Sequence, residues 1–156
     1  MKSSVIIVAL ITMALLSCQS SPDFEELRSE ILTLHKAMID AHLNKDVDYI
    51  VDQFTENFTF VAFGDISKRT KDEHRAMFKD YLSNTTFSAY QDISEPVIRF
   101  SKDTSSAWSI VKVRVAGSSR MDDGSTRDFD VVYAWITLYE RRGDNWIRTV
   151  EVSTNN

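Results

Sequence analysis

From Asp23 to Asn44 the chain repeats apolar residues at three- and four-residue intervals, at Leu27, Ile31, Leu34, Met38 and Ala41. That spacing gathers them on one side of an α-helix and predicts a single buried face. Pro22 and Asp23 suit its start, and Asn44-Lys45 its end. A shorter helix is expected from Asp46, with Val47, Ile50, Val51 and Phe54 as its apolar side. Phe58 to Phe63 is rich in β-forming side chains and stops at the turn signal Gly64-Asp65. Thr70 and Glu73 have the spacing of a capping box, in which a hydroxyl and a carboxylate satisfy the free amides of a helix start. The helix they open carries His74, Met77, Phe78 and Tyr81 on one face and ends near Asn84.

Beyond Thr86 the period changes from helical to alternating. Phe87 to Phe100 reads as one long or bent strand, with Pro96 marking an edge or a bulge. Ala107 to Gly117 sets Ser109, Val111, Val113 and Val115 against Trp108, Ile110, Lys112 and Arg114. Asp123-Gly124 signals a hairpin turn. The strand from Arg127 to Glu140 puts Phe129, Val131, Tyr133, Trp135 and Tyr139 on one face, and Val132, Ala134, Ile136 and Leu138 on the other. Gly143-Asp144-Asn145 turns the chain into a last strand, Trp146 to Ser153. Helices followed by consecutive antiparallel strands predict an α+β domain with its helices on one face of a curled sheet. The Arg127–Glu140 strand is apolar on both sides, so its outer face needs a cover, and a second copy of the chain is the expected one.

Residues 1–17 are of a different kind. Lys2 precedes an apolar run from Val5 to Leu16, broken only by Thr12, and small Ser17 follows. A run of about a dozen residues is too short to cross a bilayer as a helix, and this arrangement is that of an export signal. Leu15-Leu16-Ser17-Cys18 resembles the lipobox of bacterial lipoproteins. The resemblance implies removal of residues 1–17 and lipid attachment at Cys18, where several acyl chains would hold the protein durably to a membrane. Residues 18–23 then form a short tether and 24–154 a single domain, placed in the bacterial cell envelope on its periplasmic or surface side. Cys18 is the only cysteine, which excludes an internal disulfide and a cysteine-based structural zinc site. The net charge of -5, without a basic cluster, argues against nucleic acid as a partner.

Several phrases in order resemble the NTF2-like superfamily, in particular its SnoaL-like and DUF4440-type members. They are Asn44-Lys45-Asp46-Val47-Asp48, Phe54-Thr55-Glu56-Asn57-Phe58, Trp135 through Leu138-Tyr139-Glu140, and Gly143-Asp144-Asn145-Trp146. The resemblance implies a cone: three N-terminal helices packed on a strongly curved antiparallel β-sheet around a pocket, with homodimers through the outer sheet face common among relatives. Fold alone does not choose among the superfamily's isomerases, dehydratases, cyclases and hydrolases. Ketosteroid isomerase uses a tyrosine on helix one and an aspartate near strand one. Matched on Lys45-Asp46, these fall on Met38 and Ala62, neither of which can move a proton. The terminal-strand histidines of other relatives fall on Val150 and Val152.

The residues that remain for a pocket are His35, Met38, His42, Tyr81, Trp108, Arg114, Tyr133, Trp135 and Arg148. His35 and His42 lie on nearly the same side of the first helix, but seven residues rise about 10.5 Å, too far apart for one metal ion. No metal and no cofactor is expected. A guanidinium facing a closed cavity requires a carboxylate or an anionic ligand, and Arg114 and Arg148 either meet that need or point outward to Asp130, Glu140 or Glu151. There is no P-loop, G-x-S-x-G, H-E-x-x-H or EF-hand loop. The expected function is binding of a small, partly apolar ligand by a membrane-anchored pocket protein. The alternative is an isomerase, dehydratase or hydrolase with a non-standard acid-base site drawn from His42, Tyr81 and Asp92. A third reading is an envelope module whose pocket is filled by its own side chains.

Overall fold

The computed structural model describes residues 23–155; the expected signal and Cys18 lie outside them. Helix α1 (Phe24–Asn44) starts where Asp23 accepts hydrogen bonds from the amides of Glu25 and Glu26, and buries Leu27, Ile31, His35, Met38 and Ala41. Its end is set by Lys45, at φ 58°, whose amide reaches back to the Ala41 and His42 carbonyls. Helix α2 (Val47–Asp52) is capped by Asp46 and stops two residues before Phe54. That residue opens strand β1 (Phe54–Ala62) instead of closing the helix, because it pairs with Arg148 in the sheet. A tight turn at Phe63 and Gly64, both at positive φ, leads to β2 (Asp65–Lys68), a short strand that the sequence pattern does not announce. Helix α3 (Lys71–Asn84) carries the expected capping box, with both reciprocal bonds between Thr70 and Glu73 present.

The segment expected as one bent strand is two, β3 (Thr85–Asp92) and β4 (Val97–Phe100). Both lie antiparallel on the same edge of β5 (Ser106–Arg120), which continues into β6 (Thr126–Arg142) and β7 (Asn145–Asn155). The strands follow the order β2-β1-β7-β6-β5-β3, with β4 beside β5. The sheet is not wholly antiparallel, as β1 runs parallel to β7. β1 follows α2 directly, while β7 reaches it through the β5-β6-β7 hairpins from the other side of the sheet.

Besides a register shift between Phe54 and Thr59 in β1, two bulges shape the inner face of the sheet. In β3, Phe87 pairs with Gly117 and Ala89 with Ala116, so Ser88 is an extra residue. In β7, Arg148 pairs with Tyr139 and Val150 with Leu138, so Thr149 is extra. Each bulge resets the alternation, and residues three apart across it share a face.

The packing divides along α1. Its N-terminal half, through Leu27 and Ile31, closes on Ile98, Ala107, Tyr139 and Trp146 in a filled core. Its C-terminal half, through Met38 and Ala41, meets Ile50, Phe54, Phe58 and Leu82. Facing them across the concave sheet stands a wall of Val111, Val113 and Val115, backed by Tyr90, Tyr133 and Trp135. Between these last two groups the interior is hollow.

Candidate functional site

The hollow is a cavity of about 300 Å³ bounded by all three helices and by β1, β3, β5, β6 and β7. Its apolar wall comes from Met38, Ile50, Phe54, Phe58, Phe60, Ala62, Phe78 and Val115. Into it also face His42, His74, Tyr81, Tyr90, Tyr133, Trp135, Arg148, Glu151 and Ser153, with Phe63, Arg69 and Met77 at the rim. Phe63 is 83% exposed there, an aromatic side chain held at a hairpin tip with φ 55°.

The floor is an ion pair. Arg148 Nη2 donates to Glu151 Oε2 and, at 3.2 Å, to Thr137 Oγ1, and Thr137 in turn donates to the same carboxylate at 3.4 Å. The side chains are only 10% and 18% exposed. In a regular strand, residues three apart point to opposite faces; the extra Thr149 is what lets both charged groups turn inward. The guanidinium lies 5.7 Å from the Phe54 ring centroid, and its Nε is buried without a partner among the described residues.

His42 stands on the other side. Its Nδ1 is 2.8 Å from the Met38 carbonyl. A carbonyl only accepts, so Nδ1 carries the proton and Nε2 is left as a bare acceptor. The ring packs edge-on to Tyr90 (centroids 5.0 Å) and Phe78 (5.8 Å). Burial pushes its pKa down to about 4, against the pull of the Met38 carbonyl, and Arg148 adds to the depression. The unfolded chain, near 6.5, therefore binds the proton more readily than the folded one, and stability contributed by neutral His42 is lost as pH falls from about 6.5 toward 4. The His42 ring proton resonances should accordingly titrate near pH 4 by NMR; a midpoint above 6 would mean that the ring is solvated.

His74 is a different case. Both ring nitrogens are buried without partners among the described residues, and the ring sits edge-on to Phe54 and Phe58 at 5.2 and 5.5 Å. Burial first, then Arg69, holds its pKa below the usual histidine value. It serves as a neutral aromatic block in the wall. The Tyr90 phenol is raised by burial, then by Glu151, against a smaller lowering by Arg148, so it stays protonated and able to donate. Tyr81, nearer the rim, is raised for the same first reason.

Of the residues expected at a pocket, Met38, His42, Tyr81, Tyr133, Trp135 and Arg148 meet around the cavity. Three do not. His35 is buried deeper along α1, where Nε2 meets Asp92 Oδ1 at 2.8 Å, so Asp92 is engaged away from the cavity as well. Trp108 and Arg114 lie on the outer face of β5, opposite the buried Ser109, Val111, Val113 and Val115. There Arg114 forms a two-pronged pair with Asp130 at 2.8 and 2.7 Å. Besides the expected His42, Tyr81 and Tyr133, two titratable groups not expected there, Tyr90 and Glu151, line the cavity. Tyr90 and Glu151 escape simple alternation because each follows a bulge. Among the described residues no group of three or more His, Cys, Asp or Glu side chains is placed to hold a metal ion.

No family model matches the chain, and no curated protein matches it in sequence. Solved structures do match in shape. An NTF2-like protein from Cytophaga hutchinsonii superposes with a TM-score of 0.67 at 18% identity, over 83% of this chain and 98% of its own. The chain is likewise similar to an NTF2-like protein of unknown function in nutrient uptake from Rhodospirillum rubrum (TM-score 0.62, 18% identity, 80% and 96% covered). The fold is that of the NTF2-like proteins. A ketosteroid isomerase-like protein from Erwinia carotovora atroseptica shares it at 0.59 and 18% identity, covering 81% of this chain and 94% of that one.

Within the NTF2-like frame, Met38 and Ala62 do line the cavity. They occupy the positions to which the ketosteroid isomerase pattern leads, and neither has a titratable group. Val150 and Val152 instead pair with Leu138 and Ile136 on the outer face, and Glu151 and Ser153 take the inner places beside them. The bulge at Thr149 makes that exchange.

Proposed function

We propose that this NTF2-like domain binds a small, partly apolar molecule in its cavity while a lipid on Cys18 holds it to the bacterial cell envelope. The observation that carries the binding reading is the cavity itself. About 300 Å³ stays open among aromatic and aliphatic side chains, with polar groups converging on it. Native mass spectrometry of the purified chain tests it by looking for retained small molecules. Ala62→Trp, which places an indole in the cavity, should abolish retention and any thermal shift given by added ligand. Equal retention by the variant defeats the reading. The anchor rests on the apolar run and the Leu15–Cys18 phrase; Cys18→Ser should release the protein from the membrane fraction.

A second reading, an acid-base enzyme, is favoured by one feature: neutral His42, with a bare Nε2, beside the protonated Tyr90 phenol. Turnover of a retained ligand that is lost in His42→Gln would distinguish catalysis from binding.

We further propose that the outer sheet face is covered by a second copy. Val97, Trp108, Ile110, Ile136, Leu138 and Val152 are all exposed there, on adjoining strands. Exposed apolar surface of this extent marks an association face. Ile136→Asp should convert a dimer to a monomer in sedimentation velocity. An unsubstituted chain that is already monomeric at high concentration refutes the proposal.

A further inference from the structure

We infer that the cavity selects an uncharged ring compound bearing a hydroxyl or N–H group, and that His42 Nε2 accepts the hydrogen bond from that group. The inference rests on the binding reading above and adds the chemistry of the ligand to it.

The first ground is the histidine's fixed tautomer. Nδ1–H is committed to the Met38 carbonyl, so the only polar atom His42 can turn to the cavity is a lone pair. Both nitrogens of His74 are buried without a partner among the described residues, whereas Nε2 of His42 is not buried in this way. A lone pair over an apolar hollow rewards a donor and does nothing for an ether or a hydrocarbon. Burial favours the neutral ring, which keeps the acceptor in place at ordinary pH.

The second ground is charge. Arg148 would attract an anion if it stood alone, but Glu151 already neutralises it within the same floor. A ligand carboxylate brought beside Glu151 would meet a like charge in a medium of low dielectric. A ligand cation would face Arg148 and, at the rim, Arg69. At the floor, where the pair is neutral, neither sign of charge finds an unpaired partner. The third ground is shape, for Tyr133 and Trp135 present aromatic rings 6.4 Å apart, and Phe58 and Phe60 also line the cavity. Flat rings suit such walls.

The test is equilibrium dialysis of the purified full chain at neutral pH against three probes with one ring system: β-naphthol, its methyl ether, and β-naphthoate. The naphthol should bind about five- to tenfold more tightly than the ether, the effect of one added hydrogen bond, and the naphthoate most weakly. In His42→Phe the preference for naphthol over the ether should disappear. Equal affinity of naphthol and ether for the unsubstituted protein, or tighter binding of naphthoate, overturns the inference and leaves the binding reading intact. Failure of all three probes to bind overturns both. The comparison of naphthol with ether decides the matter even where His42→Phe does not fold.

Discussion

Replacing Glu151 with leucine should destabilise the domain by about 3–5 kcal/mol, the usual cost of removing one member of a buried ion pair. In a domain of this size that lowers the melting temperature by roughly 10–20 °C. The cause is less the lost attraction than what remains. Arg148 would keep its charge below the surface with only Thr137 and the face of Phe54 for company. The double replacement Arg148→Met with Glu151→Leu should recover most of the loss, because two apolar side chains of similar bulk need no partner. Urea unfolding of the four members of this cycle measures the coupling directly. A loss below about 1 kcal/mol in the single variant would mean that the pair is screened like a surface pair and plays no part in holding the floor together.

Gly117→Ala should cost about 3 kcal/mol, at the upper end of overpacking effects, although it adds a single methyl group. A Cβ at this position would lie 2.1 Å from the Thr86 carbonyl oxygen and 3.0 Å from the Phe87 Cα. Both are backbone atoms, so no side chain can swing aside, and β3 must move off β5. The bulge at Ser88 brings the two backbones this close. Gly124→Ala is the control. It has open space around it, but its φ of 81° imposes the left-handed penalty of about 1–2 kcal/mol. Chemical denaturation of both should rank Gly117→Ala as the worse; the reverse order would place the close approach of β3 and β5 in doubt. Because β3 also carries Tyr90, the Gly117 variant should weaken binding at the cavity.

Local signals were legible wherever the physics is local. The three-and-four spacing of α1, the Thr70/Glu73 box of α3 and the strict alternation of β5 all appear in the structure near their expected places. Each depends on neighbours within a turn or a pleat. The same alternation misled at Arg114 and Trp108. A period of two separates faces without saying which one is inside, and two-sided apolar strands remove the usual cue. Phe54 was misplaced for a related reason: an apolar residue after a short helix fits both a further turn and a strand, and only the pairing with Arg148 decides.

What the order of residues determined by itself is the class of the fold, the positions of helices and turns, and the presence of enough apolar surface to bury a core. Each follows from short-range sterics, hydrogen bonding and periodicity. Tertiary structure decided the site. One extra residue in β3 and another in β7 turned Tyr90 and Glu151 inward, and the parallel alignment of β1 with β7 set Phe54 against Arg148. A bulge leaves no mark in composition and only a one-residue slip in the period, too slight to read in a single short strand, and its stability comes from the strands on either side. The chemistry of the cavity was therefore written in the packing of distant segments, which no window of sequence contains.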